Sequence, residues 1–96
     1  MIVIRESRLD QAAVSRIWRE NRREWFQDSA ADFAQVASCD SSAAALVAQW
    51  GLSCNARGER LLCLNAPEAL IALIRIYHLD NLTEFRSNGQ TEDPGQ

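Results

Sequence analysis

No apolar run in this sequence approaches the roughly 20 residues that a membrane-spanning helix needs, so direct insertion into a bilayer is not expected. The opening stretch MIVIRESRLD has no basic region followed by an apolar one, so it does not read as a signal peptide. Cysteine is scarce: Cys39, Cys54 and Cys63 are an odd set without C-x-x-C spacing. That excludes a disulfide framework and a zinc site, and apolar neighbours suggest buried, reduced thiols. With a single histidine, His78, metal-ligand spacing is absent. No glycine-rich phosphate loop occurs, so independent nucleotide hydrolysis is unsupported. A net charge of −3 gives no general attraction to nucleic acid or anionic lipid. Together these absences predict a cytoplasmic protein without cofactor or metal.

What is present suits one globular domain. Apolar residues make up 47% and charged residues 24% of the chain. A chain of 96 residues buries roughly 60–65% of its unfolded surface, enough for one modest core. MIVI at the start reads as a strand. Asp10 is a good helix cap, and Leu9 and Val14 are spaced for a hydrophobic staple around it. The helix is expected to run to about Trp25, with Val14, Ile17, Trp18, Asn21 and Trp25 on one stripe. Arg16, Arg19, Glu20, Arg22, Arg23 and Glu24 fill the rest, a mixture that reads as a solvated face. Ala31–Phe33 is a second short strand. A second helix ends near Arg57, where Gly58 supplies the stop. The run RLLCL, Arg60–Leu64, is short enough for a buried strand. Pro67 suits the first turn of a third helix, which places Leu70, Leu73, Ile74 and Tyr77 on one side and ends near His78. From Arg86 onward no apolar residue occurs, and residues 86–96 read as a disordered tail after a domain of residues 1–85. Alternating strands and helices favour parallel strands with right-handed crossovers, hence a small α/β layer domain.

The stretch CDSSAAALVAQW, Cys39–Trp50, concentrates the functional signal. Asp40, Ser41 and Ser42 stand where a loop enters a helix, beside orphan N–H groups and a positive dipole end. Capping explains one acid or one hydroxyl, for about 1 kcal/mol; such an end also tolerates an added phosphate. On a helical wheel Ala43, Ala44, Val47, Trp50, Gly51 and Cys54 share one side. Ala45, Ala48, Gln49, Leu52 and Asn55 share another that is small and nearly uncharged. A helix apolar on both sides is buried on both, which points to a partner over the second face; an alanine-rich surface helix of good propensity is the alternative. Catalysis is not expected. A Ser41–His78 pair lacks an orienting acid and an oxyanion site.

In order, DFAQVASCDSSAAALVAQW, ARGERLLCLNAPEAL and LIRIYHLDNL resemble the STAS domain family, over Met1 to about Phe85. RLDQAAVSRIW and IYHLDNL most resemble its MlaB-like branch. The resemblance implies a mostly parallel sheet of three to four strands with helices packed on it, lacking the usual first strand. It implies a non-enzymatic accessory subunit that binds and supports the ATPase of a phospholipid-transporting Mla ABC system, whose complex also holds permease and substrate-binding subunits. Such a subunit sits at the cytoplasmic face of the inner membrane and supports outer-membrane lipid asymmetry. Ser41 is then the partner-contacting hydroxyl, with Asp40, Ser42, Ala45, Ala48, Gln49 and Leu52 around it. In the anti-sigma factor antagonist branch the same hydroxyl is phosphorylated, so a switch at Ser41 is the alternative. Ala43 stands where the family usually has Gly, which puts the local loop or the partner fit in doubt. An uncovered sheet edge would invite pairing with a second copy.

Overall fold

The computed structural model describes residues 1–87. Along them lie β1 (Ile2–Val3), β2 (Arg8–Leu9), α1 (Gln11–Glu20), α2 (Arg22–Trp25), β3 (Ala30–Asp32), β4 (Ser38–Cys39) and α3 (Ser41–Ala56). There follow β5 (Leu61–Leu64), α4 (Glu68–Ile76), a 3-10 turn (Asp80–Leu82) and β6 (Thr83–Arg86). The main sheet has the order β1-β3-β5-β6, each neighbouring pair parallel. Each strand joins on the same side of its predecessor. Right-handed crossovers then carry the helices to one face of the sheet.

The register places Ile2, Ala31, Cys63 and Phe85 level across the four strands. In β5, Leu61 and Cys63 are buried while Leu62 and Leu64 are half-buried. The continuous run RLLCL therefore does not mark a strand buried on both faces. Side chains alternate across a strand, and the helices cover one side.

Residues Asp10–Trp25 do not form one helix. Asn21 donates its N–H to the Ile17 carbonyl at 2.7 Å, then leaves helical geometry at φ −122°, and the chain resumes as α2. Asparagine competes for its own backbone and is a weak helix former. Beyond the break Trp25 is buried against Trp50, with ring centroids 5.6 Å apart. Trp18, expected on the buried stripe, stays 37% exposed. Tyr77, expected beside Leu70 and Ile74, is 52% exposed. Helical spacing identifies a face but cannot say which large residue at its margin is covered.

Two further elements were not visible in the sequence pattern. Arg8–Leu9 and Ser38–Cys39 pair as a two-residue parallel ladder. The ladder sets the two caps side by side, and Asp40 N–H reaches the Leu9 carbonyl at 3.4 Å. Helices α1 and α3 thus leave from adjacent starts. Thr83–Arg86 pairs with β5 and includes Arg86, the first residue of the expected tail; residues 88–96 of that tail lie outside those described.

The stop at Gly58 has the anticipated form. Gly58 takes φ 77°, its N–H bonds the Asn55 carbonyl at 2.9 Å, and Glu59 N–H bonds the Cys54 carbonyl at 2.9 Å. His78 does the equivalent for α4, with φ 59° and Leu79 N–H on the Ile74 carbonyl at 2.9 Å.

Helix α3 packs against α1, α4, β5 and the 3-10 turn. Its buried residues are Ala43, Ala44, Leu46, Val47, Trp50, Gly51 and Cys54. A Cβ at Gly51 would stand 2.9 Å from Leu82 Cβ and 3.3 Å from the Leu82 carbonyl. Gly→Ala in an open helix interior gains about 1 kcal/mol. Here overpacking reverses the sign. Gly51→Ala is expected to lower unfolding stability by about 1–2 kcal/mol in urea titration; an increase would show that the 3-10 turn yields freely.

Candidate functional site

Asp40 is the N-cap of α3: its Oδ1 accepts from Ser42 N–H at 2.8 Å, and its own carbonyl accepts from Ala43 N–H at 3.0 Å. One acid is therefore sufficient to cap this end. Ser41 is the first helical residue, exposed, with no side-chain hydrogen bond among the described residues. Ser42 is half-buried. Ala43 is fully buried within the first turn, where helical backbone has no need of glycine.

Down the helix from Ser41, the outer ridge consists of Ala45, Ala48, Gln49 and Leu52. Ala45 and Gln49 are exposed, Ala48 is half-buried, and Leu52 is 50% exposed. The structure thus brings Ser41 and these four residues onto one surface, with Asp40 and Ser42 at its upper end.

Apolar grooves flank the ridge. One, toward α1, is lined by Val14, Trp18 and Arg19 together with Ala45, Leu46 and Gln49. The other is lined by Ser41, Ala44, Ala45 and Ala48 together with Tyr77 and Leu79. Ala45 borders both, so its methyl group is the low point between two walls. Trp18, Arg19, Tyr77 and Leu79 line these grooves but lie outside the set that sequence reasoning singled out. Trp18 and Tyr77 gave only the signal of an aromatic at the margin of an apolar stripe, which is ambiguous without the fold, and Arg19 and Leu79 gave none for this surface. Trp18 is held by an edge-on contact with Phe26, centroids 5.7 Å apart, and by Arg22 stacked 4.7 Å above its ring.

The thiols offer no nucleophile to this surface. Cys39 is half-buried; burial, with help from the Asp40 charge, raises its pKa. Burial pushes Cys63 up to about 12. Activated cysteines sit in the opposite environment, partly exposed and electropositive. His78 is exposed and serves the α4 terminus, and no hydrogen bond joins it to Ser41. Among the described residues no group of three His, Cys, Asp or Glu could hold a metal ion.

A polar cluster lies elsewhere, where the end of α3 meets the segment before β3. Arg57 donates to the Phe26 carbonyl at 2.9 Å and to Ser29 Oγ at 3.0 Å, and Glu59 pairs with both Ser29 and Arg57. The Ser29 hydroxyl, then Arg57, holds the Glu59 carboxyl below its ordinary range. Asp28 is lowered chiefly by the Met1 ammonium group 2.8 Å away, with burial opposing. These contacts clasp the helix end to the chain and leave no polar group aimed into an enclosed space.

Among the described residues, then, Ser41 has no hydrogen-bonded base, and the outer face of α3 offers small and apolar surface. The family model described as MlaB, STAS domain matches residues 6–84, and the chain belongs to that family. Membership supports an accessory or regulatory role of the STAS type. Neither a curated protein nor a solved structure gives a significant match. No helix among the described residues is long and apolar enough to cross a membrane.

Two experiments separate framework from surface. Asp40→Ala is expected to cost about 1 kcal/mol in chemical denaturation, whereas Ser41→Ala should change stability by less than about 0.5 kcal/mol. Equal losses would mean that Ser41 shares the capping. With a thiol reagent at pH 8, Cys54 and Cys63 should react only when the protein is unfolded. The raised Cys63 pKa also has a pH signature. Between about 9 and 12 the unfolded chain has lost this proton and the folded one has kept it. Stability should therefore fall as pH rises through that window, by at most about 1.4 kcal/mol per pH unit. Rapid labelling of all three thiols in the native protein would contradict the burial.

Proposed function

We propose that this STAS domain is a non-enzymatic subunit that binds and supports the cytoplasmic ATPase of a phospholipid-transporting ABC system of the Mla type. The observation that carries the reading is the outer ridge of α3, where small and apolar residues run from Ser41 to Leu52 between two apolar grooves. Ala45 and Ala48 let another backbone approach closely, and Leu52, Trp18 and Tyr77 supply apolar area around them. A standard interface covers roughly 800 Å² per partner. Apolar surface removed from water contributes roughly 25 cal/mol per Å², less the cost of ordering both partners.

In this reading Asp40 stays with the helix as its cap and Ser41 becomes a hydrogen-bonding group inside the contact. Gln49 supplies an amide at the centre of the ridge. The partner brings the domain to the cytoplasmic face of the inner membrane, so the domain needs no membrane segment of its own. The effect on the ATPase is steric: a rigid α/β unit docked on its helical region fixes that region's position. A phosphate on Ser41 would place nearly two negative charges in a desolvated contact and release the partner.

The test is recovery of tagged protein from its native cells with intact-mass analysis of the chain. The parent should retain a P-loop ATPase and its permease, and the recovered chain should be unmodified. Ala45→Arg and Ser41→Glu should each weaken that binding by about 30-fold or more, or roughly 2 kcal/mol, with unfolding unchanged. Binding of both variants like the parent would remove α3 from the interface. A kinase-like partner recovered with phosphate on Ser41 would replace the transport reading with a regulatory switch.

A further inference from the structure

The groove between α1 and α3 has a chemistry of its own. The sequence has no lysine, and several of its arginines gather between Arg16 and Arg23. Arg16 is matched by Glu6. Arg19, Arg22 and Arg23 have no ion pair among the described residues, although the chain as a whole is acidic. Arg19 lines the groove, and Arg22 lies over the Trp18 ring that forms its wall. Ser15, Trp18 and Arg19 are three and four residues apart on α1 and so share one side of it; Arg22, beyond the break at Asn21, reaches the same side by its contact with the Trp18 ring. Glu20 and Glu24 do not line the groove, and Glu20 lies in the adjoining hollow with Trp18, Arg19, Arg22 and Arg23 without an ion pair to any of them.

An apolar slot with an unmatched arginine lip is complementary to one kind of segment. From this we propose that the α1–α3 groove takes an amphipathic helix of the ATPase partner. An apolar side chain sits between Trp18 and Ala45, and carboxylates on the helix flank pair with Arg19 and Arg22. The inference rests on the proposed function and adds the chemistry of the partner at this edge. Arginine suits the task better than lysine. Its planar fork meets a carboxylate with two parallel N–H bonds, and a guanidinium stacked on an aromatic ring keeps its N–H edge for that purpose. Trp18 gives the slot a rigid wall that loses little freedom on binding, as anchors at interfaces commonly do. An anionic bilayer is a poorer occupant. It is broad and flat, whereas the apolar lining is recessed between α1 and α3.

The experiment measures binding of the ATPase to the parent, to Arg19→Glu/Arg22→Glu, to Arg19→Lys/Arg22→Lys and to Ala45→Arg, at low and high salt. The double Glu variant should bind about tenfold more slowly at low salt, and its affinity should depend less on salt than the parent's. The double Lys variant should recover most of the rate and part of the affinity. If Ala45→Arg abolishes binding while the double Glu variant matches the parent at both salts, the α3 contact stands and the arginine inference falls. If neither change matters, or the parent does not bind the ATPase, both fall. Flotation on vesicles containing phosphatidylglycerol supplies the remaining arm. Retention that the double Glu variant loses, with ATPase binding intact, would assign the arginines to lipid and overturn the proposal.

Discussion

Trp50 fixes the rotation of α3, and most of what the surface offers follows from that rotation. Its indole N–H donates to the Asp28 carbonyl at 2.8 Å, its ring stacks on Phe26 with centroids 5.8 Å apart, and Trp25 closes the other approach. A fully buried tryptophan of this kind is worth about 3–5 kcal/mol against truncation, and its one polar atom is satisfied. With Trp50 turned inward, Ala43, Val47 and Cys54 are carried inward with it. Ala45, Gln49 and Leu52 must then face out. The outer ridge is therefore a consequence of core packing, and its lack of charge is the feature that packing does not explain.

The start of α3 is fixed by a separate device. The two-residue ladder between Arg8–Leu9 and Ser38–Cys39 places the two capping aspartates beside each other, so α1 and α3 start from a common line. The groove between them is then set by side-chain size alone: Trp18 on one wall, Ala45 on the other. At the far end of α3, Arg57 ties the helix to the Phe26–Ser29 segment. The helix is thus held at both ends and at its middle, which makes its exposed face a rigid surface. A rigid surface loses little freedom on docking.

Much of this was legible from the residues. The cap at Asp10, the stop at Gly58 and the division of α3 into two faces are legible, because each depends on local chemistry or on the 3.6-residue period; for the start of α3 the sequence leaves the cap open between Asp40 and a serine, and the structure gives it to Asp40. The placement of Ser41 and the ridge together on one surface came from the same period. Less was legible where long-range packing decides. Two-residue strands have no periodicity to read, so the β2–β4 ladder was missed. Thr83–Arg86 follows a turn with little apolar content and shows itself as a strand only by pairing with β5. Trp18 and Tyr77 were assigned inward because they sit at the margin of apolar stripes. The break at Asn21 and the shape of the neighbouring helix decide otherwise, and the site gained both residues as walls.

The central claim is that the outer ridge of α3 is a protein-docking face. A photo-activated cross-linking residue placed at Ala45, in cells expressing the full chain at native level, addresses it directly, with the exposed Ala72 on α4 as the control position. The account predicts a specific adduct from position 45 to the ATPase of an ABC transporter, identified by mass spectrometry, and none from position 72. Equal adducts from the two positions, or no protein adduct from position 45, would contradict it.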